Sequence, residues 1–396
     1  MPQIAIADSA RTYDEIKSLV KELTAGVITE SSAGVDKDAR FPTESFDALR
    51  KNHLLSTYVP TELGGDGLTI TEICELCEIM AHGCPSTAMV YAMHQIQVAC
   101  MADHGMDSRY FREFMTELHE KQLLIASATT EIGIGGDVRS SKCAVVADGE
   151  RFSLTKQAPV ISYAEHCDAI LVTARSNPDA PSSDQVHVLV RKGEFDLKQI
   201  AGWDTLGFRG TCSCGFVLTS QGHIEQILPV PFGQIMSRSM HPVSHLVWGS
   251  LWTGLAESAV VKARKAVRKA ARKSPDVQPV SALRLSEVDE KLFSMRSGLH
   301  QSIAEYEALI AAGDEQAFSS FGFAIRINNV KVRCSEMVVE IVGKALMIVG
   351  IFGYKNDSQE SLSRHIRDAY GAALMVNNDR IRGHNATMQI AVKTSS

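Results

Sequence analysis

A chain of 396 residues that is 45% hydrophobic can bury a sizeable core and has room for about two or three layers or domains. A net charge of −6 does not suggest a nucleic-acid binder at the level of the whole chain. The apolar stretch Ala345 to Tyr354 is too short and too Gly-rich to span a bilayer, and Met1 to Ala10 lack the basic and apolar regions of a signal peptide. Nine cysteines without a regular framework read as free thiols in a reducing, cytoplasmic compartment.

In chain order, Thr12 to Leu55 reads as two helices, the first with Ile16, Leu19, Val20 and Leu23 at helical spacing and the second starting near Pro42-Thr43. A turn-rich loop, Tyr58 to Gly67, follows. Thr71 to His82, Ser86 to His104 and Ser108 to Glu120 read as three more helices. Cys74 and Cys77 form a C-x-x-C within such a pattern, beside Ile73, Leu76 and Met80, and read as core. No second pair sits at zinc spacing, so no metal is assigned. From Leu123 to Leu228 the chain turns to short β-rich runs, such as Ala169 to Val172 and Val186 to Val190, with turn clusters between them. This spacing predicts a small antiparallel barrel or sandwich. From Gly233 onward the pattern is helical again, over 243–273, 281–312, 315–349 and 378–392, as in an antiparallel four-helix bundle. The expected fold is α+β and mostly α: a helical domain over 1–121, a β domain over 122–232 and a helical bundle over 233–396.

One loop draws the functional reading. Ala128 to Asp137 packs three glycines, two threonines and two carboxylates into one turn. Glycine removes the Cβ that would keep a ligand from the backbone, so such a loop can approach a bound ring or phosphate closely. A second feature is the helix 243–273, where Arg264, Arg268 and Arg272 recur every four residues beside Lys265, Lys269 and Lys273. That positive face reads either as solvated bundle surface or as a phosphate cradle.

Five motifs in this order resemble the acyl-CoA dehydrogenase superfamily of flavoproteins, over nearly the whole chain. Val59-Pro60-Thr61-Glu62-Leu63-Gly64-Gly65 is similar to the family's V-P-x-E-x-G-G, and Thr130-Glu131-x-Gly133-x-Gly135-Gly136-Asp137 to its T-E-P-x-A-G-S-D. Val160-Ile161-Ser162 stands where the family has W-I-T, and Leu206 to Thr211 where it has M-G-x-R-G-S. Gly350-x-x-Gly353-Tyr354, then Arg367-Asp368-Ala369, follows G-G-x-G-Y…R-D-A. The resemblance implies FAD, with FMN or a reduced flavin as alternatives, usually in a homotetramer. It places Thr129, Thr130, Gly135, Gly136 and Ser162 at the flavin ring. Arg268, Gly350, Gly353 and Asn378 are the further cofactor residues, several of them serving a flavin bound largely by a neighbouring subunit. His94 and Val376 border the substrate pocket.

The resembled dehydrogenases use a glutamate to remove the α-proton of an acyl thioester, whose polarised carbonyl makes that proton acidic enough for a carboxylate. That position falls at Val376, and the alternative position on the first bundle helix falls near Ser244 and His245. Asp379 is one replacement, although Asn378 or Asp379 also reads as a helix N-cap. His245 is a second and His94 a third, and each also reads as a packed core histidine. Two reactions therefore stand, the first favoured because the Thr130-Glu131 loop and the Leu206 to Thr211 motif are closer to the dehydrogenase branch. One is dehydrogenation of an acyl-CoA or acyl-carrier thioester with a non-standard base, passing electrons to an acceptor flavoprotein. The other is a monooxygenase of the same fold, fed reduced flavin by a reductase and needing no α-proton base. A non-catalytic flavoprotein is the third reading.

Overall fold

A computed structural model describes residues 11–135, 137–273, 275–276 and 278–391. Its N-terminal part is helical: α1 (Tyr13–Leu23), α2 (Thr29–Lys37), α3 (Thr43–Lys51), α4 (Ile70–Gly83), α5 (Pro85–His104) and α6 (Arg109–Lys121). Two starts are fixed by capping boxes. Thr12 and Glu15 exchange bonds at α1, and Thr69 and Glu72 do so at α4, satisfying amide donors that have no partner within the helix. Between α1 and α2 the chain makes a π turn, Thr24–Ile28, with Gly26 outside helical geometry. The first segment expected as one helix is thus a bent pair.

The central part holds two sheets rather than a closed barrel. β1 (Ile125–Ala128), β4 (Ala169–Arg175) and β5 (Gln185–Arg191) form one, in the order β1-β4-β5. Here β1 runs parallel to β4, with Ile125 opposite Ala169, so this sheet is mixed. The other, β2-β3-β7-β6, is antiparallel and uses β2 (Val146–Asp148), β3 (Arg151–Ala158), β6 (Phe195–Ala201) and β7 (Gly215–His223). On β3 the side chains Phe152, Leu154, Lys156 and Ala158 are buried in strict alternation, as the two-residue period of a strand with one dry face requires. Cys212 and Cys214 precede β7; Cys212 ends a short helical turn in left-handed geometry.

The C-terminal part starts with the short α7 (Phe232–Ile235) and continues through α8 (His241–Lys273), α9 (Val280–Ala312), α10 (Glu315–Phe318), α11 (Phe321–Val349), α12 (Ile351–Tyr354), α13 (Ser363–Leu374) and α14 (Asn378–Ala391). The expected helix 315–349 is broken at Ser319–Ser320, where Ser320 caps α11 through the Phe323 N–H. Helix α13 lies within a stretch expected as connection. The core runs continuously through all three parts, from Ile16 of α1 through Leu171 of β4 to Val342 of α11. Cys74 and Cys77 are buried in it, and all nine cysteines are free thiols. Among the described residues no helix is long and apolar enough to cross a membrane.

Candidate functional site

The site is built where β1 ends. Strand β1 is held to the helical part by His94, whose Nδ1 accepts the Ile125 N–H at 3.0 Å and whose Nε2–H donates to the Leu55 carbonyl at 2.7 Å. Both ring nitrogens are therefore committed to backbone. Burial holds the imidazole down at about 4, so it is neutral at pH 7. His94, expected at the substrate pocket, is placed as the clamp that aims the strand. Beyond it come Ser127 and Thr129, with hydroxyls 2.8 Å apart, and Thr130, which donates to the Val160 carbonyl at 3.3 Å.

Glu131 turns inward. Its carboxylate accepts the Lys142 and Cys143 amides at 3.0 and 2.7 Å and meets Lys156 Nζ at 3.3 Å, in an interior where Lys156 is fully buried. Burial pulls the lysine down against that ion pair. The glutamate is thus the peg of the loop. Gly133 and Gly135 follow in left-handed geometry, φ +86° and +63°, and a Cβ on Gly135 would meet open space. Gly136 lies outside the described residues.

Ser162 ends a directed chain of hydroxyls. Thr211 donates to the Phe208 carbonyl at 2.9 Å; Thr211 and Ser213 are 2.8 Å apart, and Ser213 and Ser162 are 2.8 Å apart. Each hydroxyl has one proton. Thr211 gives its own to Phe208, so Ser213 donates to Thr211 and Ser162 to Ser213. Thr130 has likewise given its proton to Val160. Ser162 and Thr130 therefore offer acceptor lone pairs only.

The opposite wall belongs to the bundle. Arg380 of α14 donates to the Gly135 carbonyl, and Arg139 donates to His384 Nδ1 at 2.8 Å, so loop and helix hold each other. Val376 and Asn377 precede α14 with φ +54° and +40°. The N-cap is Asn377, whose Oδ1 accepts from the Asp379 and Arg380 amides at 3.0 and 3.2 Å; neither Asn378 nor Asp379 takes that place. The Asp379 side chain is 95% exposed, with Arg382 at 3.9 Å. Asn378 points inward, accepting from Lys331 Nζ at 2.7 Å and bonding Ser335.

Lys331 is the group sequence reading missed. It is wholly buried, its ammonium 5.8 Å from the Trp252 ring, and burial lowers it to about 8. The signal was present: Lys331 and Asn328 interrupt the apolar stripe Ile327, Val330, Cys334 and Val338. His245 is buried beside it. Its Nδ1 lies 3.3 Å from the Ile327 carbonyl, and burial, then His241 and Lys331, holds it well below the usual histidine range. His241 bonds Asn328 at 2.8 Å.

The remaining expected residues lie elsewhere. Gly350 has φ +70° with open space at its Cβ, whereas a Cβ on Gly353 would press on Val349 and Leu346 at 3.0–3.1 Å. A side chain at Gly353 would thus need Val349 and Leu346 to shift by a few tenths of an ångström. Arg268 is exposed near the end of α8 and has no ion pair among the described residues, while Arg264 pairs with Asp289 at 2.8 Å.

Comparison with known proteins agrees with this architecture. Residues 11–108 match the family model for the acyl-CoA dehydrogenase N-terminal domain. The chain is 25% identical over 198 residues to cyclohex-1-ene-1-carbonyl-CoA dehydrogenase of Syntrophus aciditrophicus, covering 49% of this chain and 47% of that protein. It thus spans about half the length of the curated relatives it matches. In structure it is similar to FMN-bound TdsC of Paenibacillus sp. A11-2, with a TM-score of 0.81 at 15% identity over 96% of this chain and 99% of that one. It is also similar to butyryl-CoA dehydrogenase of Megasphaera elsdenii, with a TM-score of 0.79 at 15% identity over 97% and 100%. The chain as a whole therefore shares the fold of butyryl-CoA dehydrogenase and TdsC, and its first helical part matches the acyl-CoA dehydrogenase N-terminal domain.

Proposed function

We propose that this protein is a flavin-dependent oxidoreductase that works without an enzymic α-proton base, as a monooxygenase supplied with reduced flavin by a partner reductase. The observation that carries the reading is the turn before α14. The position expected to hold the base is Val376, a valine, and the nearest carboxylate along the chain, Asp379, stands in solvent. His245 is a poor substitute, because a buried imidazole held far below neutrality binds a proton too weakly for a demanding abstraction.

The hydroxyl polarity supports the same reading. When bound, flavin supplies the redox chemistry, and its reduced ring carries more N–H donors than its oxidised ring. Ser162 and Thr130 offer acceptors, which match N–H donors. Thr129 stands beside them. The bare backbone of Gly135 admits close approach, and the exposed side chains of Ile132 and Val160 give apolar contact and exclude water. Asn378, anchored by Lys331, holds the turn that closes the far side.

The test is a pair of measurements on the purified protein. Oxidised and reduced FAD and FMN are titrated without oxygen, and a panel of acyl-CoA thioesters is then added to the flavin-loaded form. Tighter binding of reduced flavin, with no bleaching by any thioester, supports the proposal. Ser213→Ala frees the Ser162 proton to point outward and should narrow the preference for reduced flavin several-fold, the scale of one hydrogen bond.

A second reading, a thioester dehydrogenase with Asp379 or His245 as base, draws on the similarity to cyclohex-1-ene-1-carbonyl-CoA dehydrogenase. Bleaching by a thioester that is lost in Asp379→Asn or His245→Gln would establish it. Under either reading the exposed apolar side chains Met347, Ile351, Phe352 and Tyr354 around α12 favour self-association, and light scattering tests through the mass in solution whether the assembly is the homotetramer that the resemblance implies.

A further inference from the structure

The first turns of α8 carry His241, Ser244, His245 and Trp248 at the spacing of one helix face. This stripe adjoins both walls of the cleft described above. Arg139 of the glycine loop acts on His241 through its charge, and Lys331, bound to Asn378 beside Val376, acts on His245.

The hydrogen bonds around the two histidines fix which ring nitrogen carries the proton. Asn385 Nδ2 donates to Asn329 Oδ1 at 3.0 Å, and Asn328 Nδ2 donates to Asn385 Oδ1 at 2.8 Å. This chain of amides turns Asn328 Oδ1 toward His241 Nε2 at 2.8 Å. An amide oxygen only accepts, so Nε2 holds the His241 proton and Nδ1 is bare. In His245 it is Nδ1 that meets an acceptor, the Ile327 carbonyl, so there Nε2 is bare. Burial lowers both rings, which keeps them neutral. Between them Ser244 has given its proton to the His241 carbonyl at 2.9 Å and can only accept.

His241 Nδ1 and His245 Nε2 have no partner among the described residues. Neither belongs to the partnerless side-chain atoms that are closed off from solvent, so each retains accessible surface, His241 more of it than His245. The stripe therefore presents acceptors alone. A carboxylate or an ether oxygen would set lone pair against lone pair. An ammonium would donate, but it would bring a charge into a part-buried place already held by Arg139 and Lys331, at the cost of its hydration. A neutral O–H or N–H meets neither obstacle, and the partly exposed ring of Trp248 offers a flat apolar contact beside it.

We propose that this stripe receives the polar end of the substrate, an uncharged molecule that donates an O–H or N–H to His241 and His245; the inference rests on the reading of the cleft as the site of a flavin-dependent oxidoreductase. The probes are 4-ethylphenol, 4-ethylanisole, 4-ethylbenzoate and 4-ethylbenzylamine, titrated by calorimetry at neutral pH into the purified full-length protein, without oxygen, with and without bound flavin. The expected result is saturable binding of the phenol about tenfold tighter than the anisole, the scale of one hydrogen bond to an otherwise unanswered acceptor, and tighter than either charged probe. His241→Phe and His245→Leu should each shrink the phenol-to-anisole ratio about threefold or more, with anisole binding retained. Circular dichroism establishes that each variant is folded; one folded variant suffices, and with neither the ranking of the four probes decides. No saturable binding of the phenol, equal binding of phenol and anisole, tighter binding of either charged probe, a ratio unchanged in a folded variant, or a preference that vanishes when flavin is bound overturns the proposal. Binding is read at equilibrium without turnover, so a protein that prefers oxidised flavin leaves a positive result standing, and failure here leaves the flavin preference untouched.

Discussion

Asp368 is a buried acid with half its hydrogen bonding missing. Oδ1 accepts the Phe208 N–H at 2.6 Å, while Oδ2 is buried without a partner among the described residues. Burial pushes the carboxyl up to about 6 despite the opposing pull of Arg364. A folded-state value above the unfolded one means the stability contribution is present in acid, below about 4, and is lost as pH rises through about 6. The loss is ~3 kcal/mol for a shift of this size. Asp368→Asn keeps an acceptor for Phe208 and should raise the melting temperature at pH 8 while flattening its change between pH 4 and 7. An unchanged pH profile would count against the assignment. Lys331 has the mirror-image behaviour. Its folded value of about 8 is below the ordinary 10.5, so its stabilising contribution is present only above the unfolded value and is gone once pH falls below 8. Lys331→Met should therefore stabilise the protein at pH 7 by ~1–3 kcal/mol, with the gain shrinking toward pH 10. Denaturant unfolding at both pH values measures it. A loss of flavin retention in the same variant, with stability gained, would mark the amine as functional.

At the scale of the element, the entry to α14 shows what pattern reading can and cannot deliver. Asn377, Asn378 and Asp379 are all competent caps, and their identities do not say which one sits at the helix boundary. The backbone decides: Asn377 adopts φ +40°, a left-handed geometry that asparagine tolerates, and its side chain reaches the Asp379 and Arg380 amides. Asn377→Ala should cost ~1–2 kcal/mol, the sum of a lost cap and a strained φ, seen as a lower melting temperature. Helices marked by long apolar periodicity, such as α8 and α9, were legible to within a few residues. The π turn, the break at Ser319–Ser320 and the short α13 were not, because each turns on a few residues whose effect appears only once neighbours pack. In the β region the alternation marked strands, but the parallel pairing of β1 with β4 depends on how α5 and His94 dock, which no local pattern encodes.

At the scale of the molecule, the N-terminal helices and the bundle are joined by the ion-pair cluster of Glu78, His82, Glu257 and Arg296. The hydrogen bond from His82, then the Arg296 charge, holds Glu257 down at about 2. A lowered carboxylate contributes stability above its unfolded value near 4.5 and loses it as pH falls toward 2. Glu257→Gln should thus make acid unfolding shallower between pH 4.5 and 2, measured by fluorescence, and a profile that superimposes on the parent would show that the cluster adds nothing. The overall architecture was legible because five motifs occur in order along the chain. The candidate site was legible only in part. The motif spacing pointed to Val376 as the place where the resembled dehydrogenases carry a base, whereas the commitment of His94 to backbone, the outward turn of Asp379 and the hydroxyl relay behind Ser162 all depend on groups far apart in sequence. The loop that carries Gly135 is held to α14 from both sides, by Arg380 reaching in and Arg139 reaching out. Any molecule that enters between loop and helix has to wait for those contacts to part. Its association rate should therefore level off as concentration rises, at a ceiling equal to the rate at which the loop lets go.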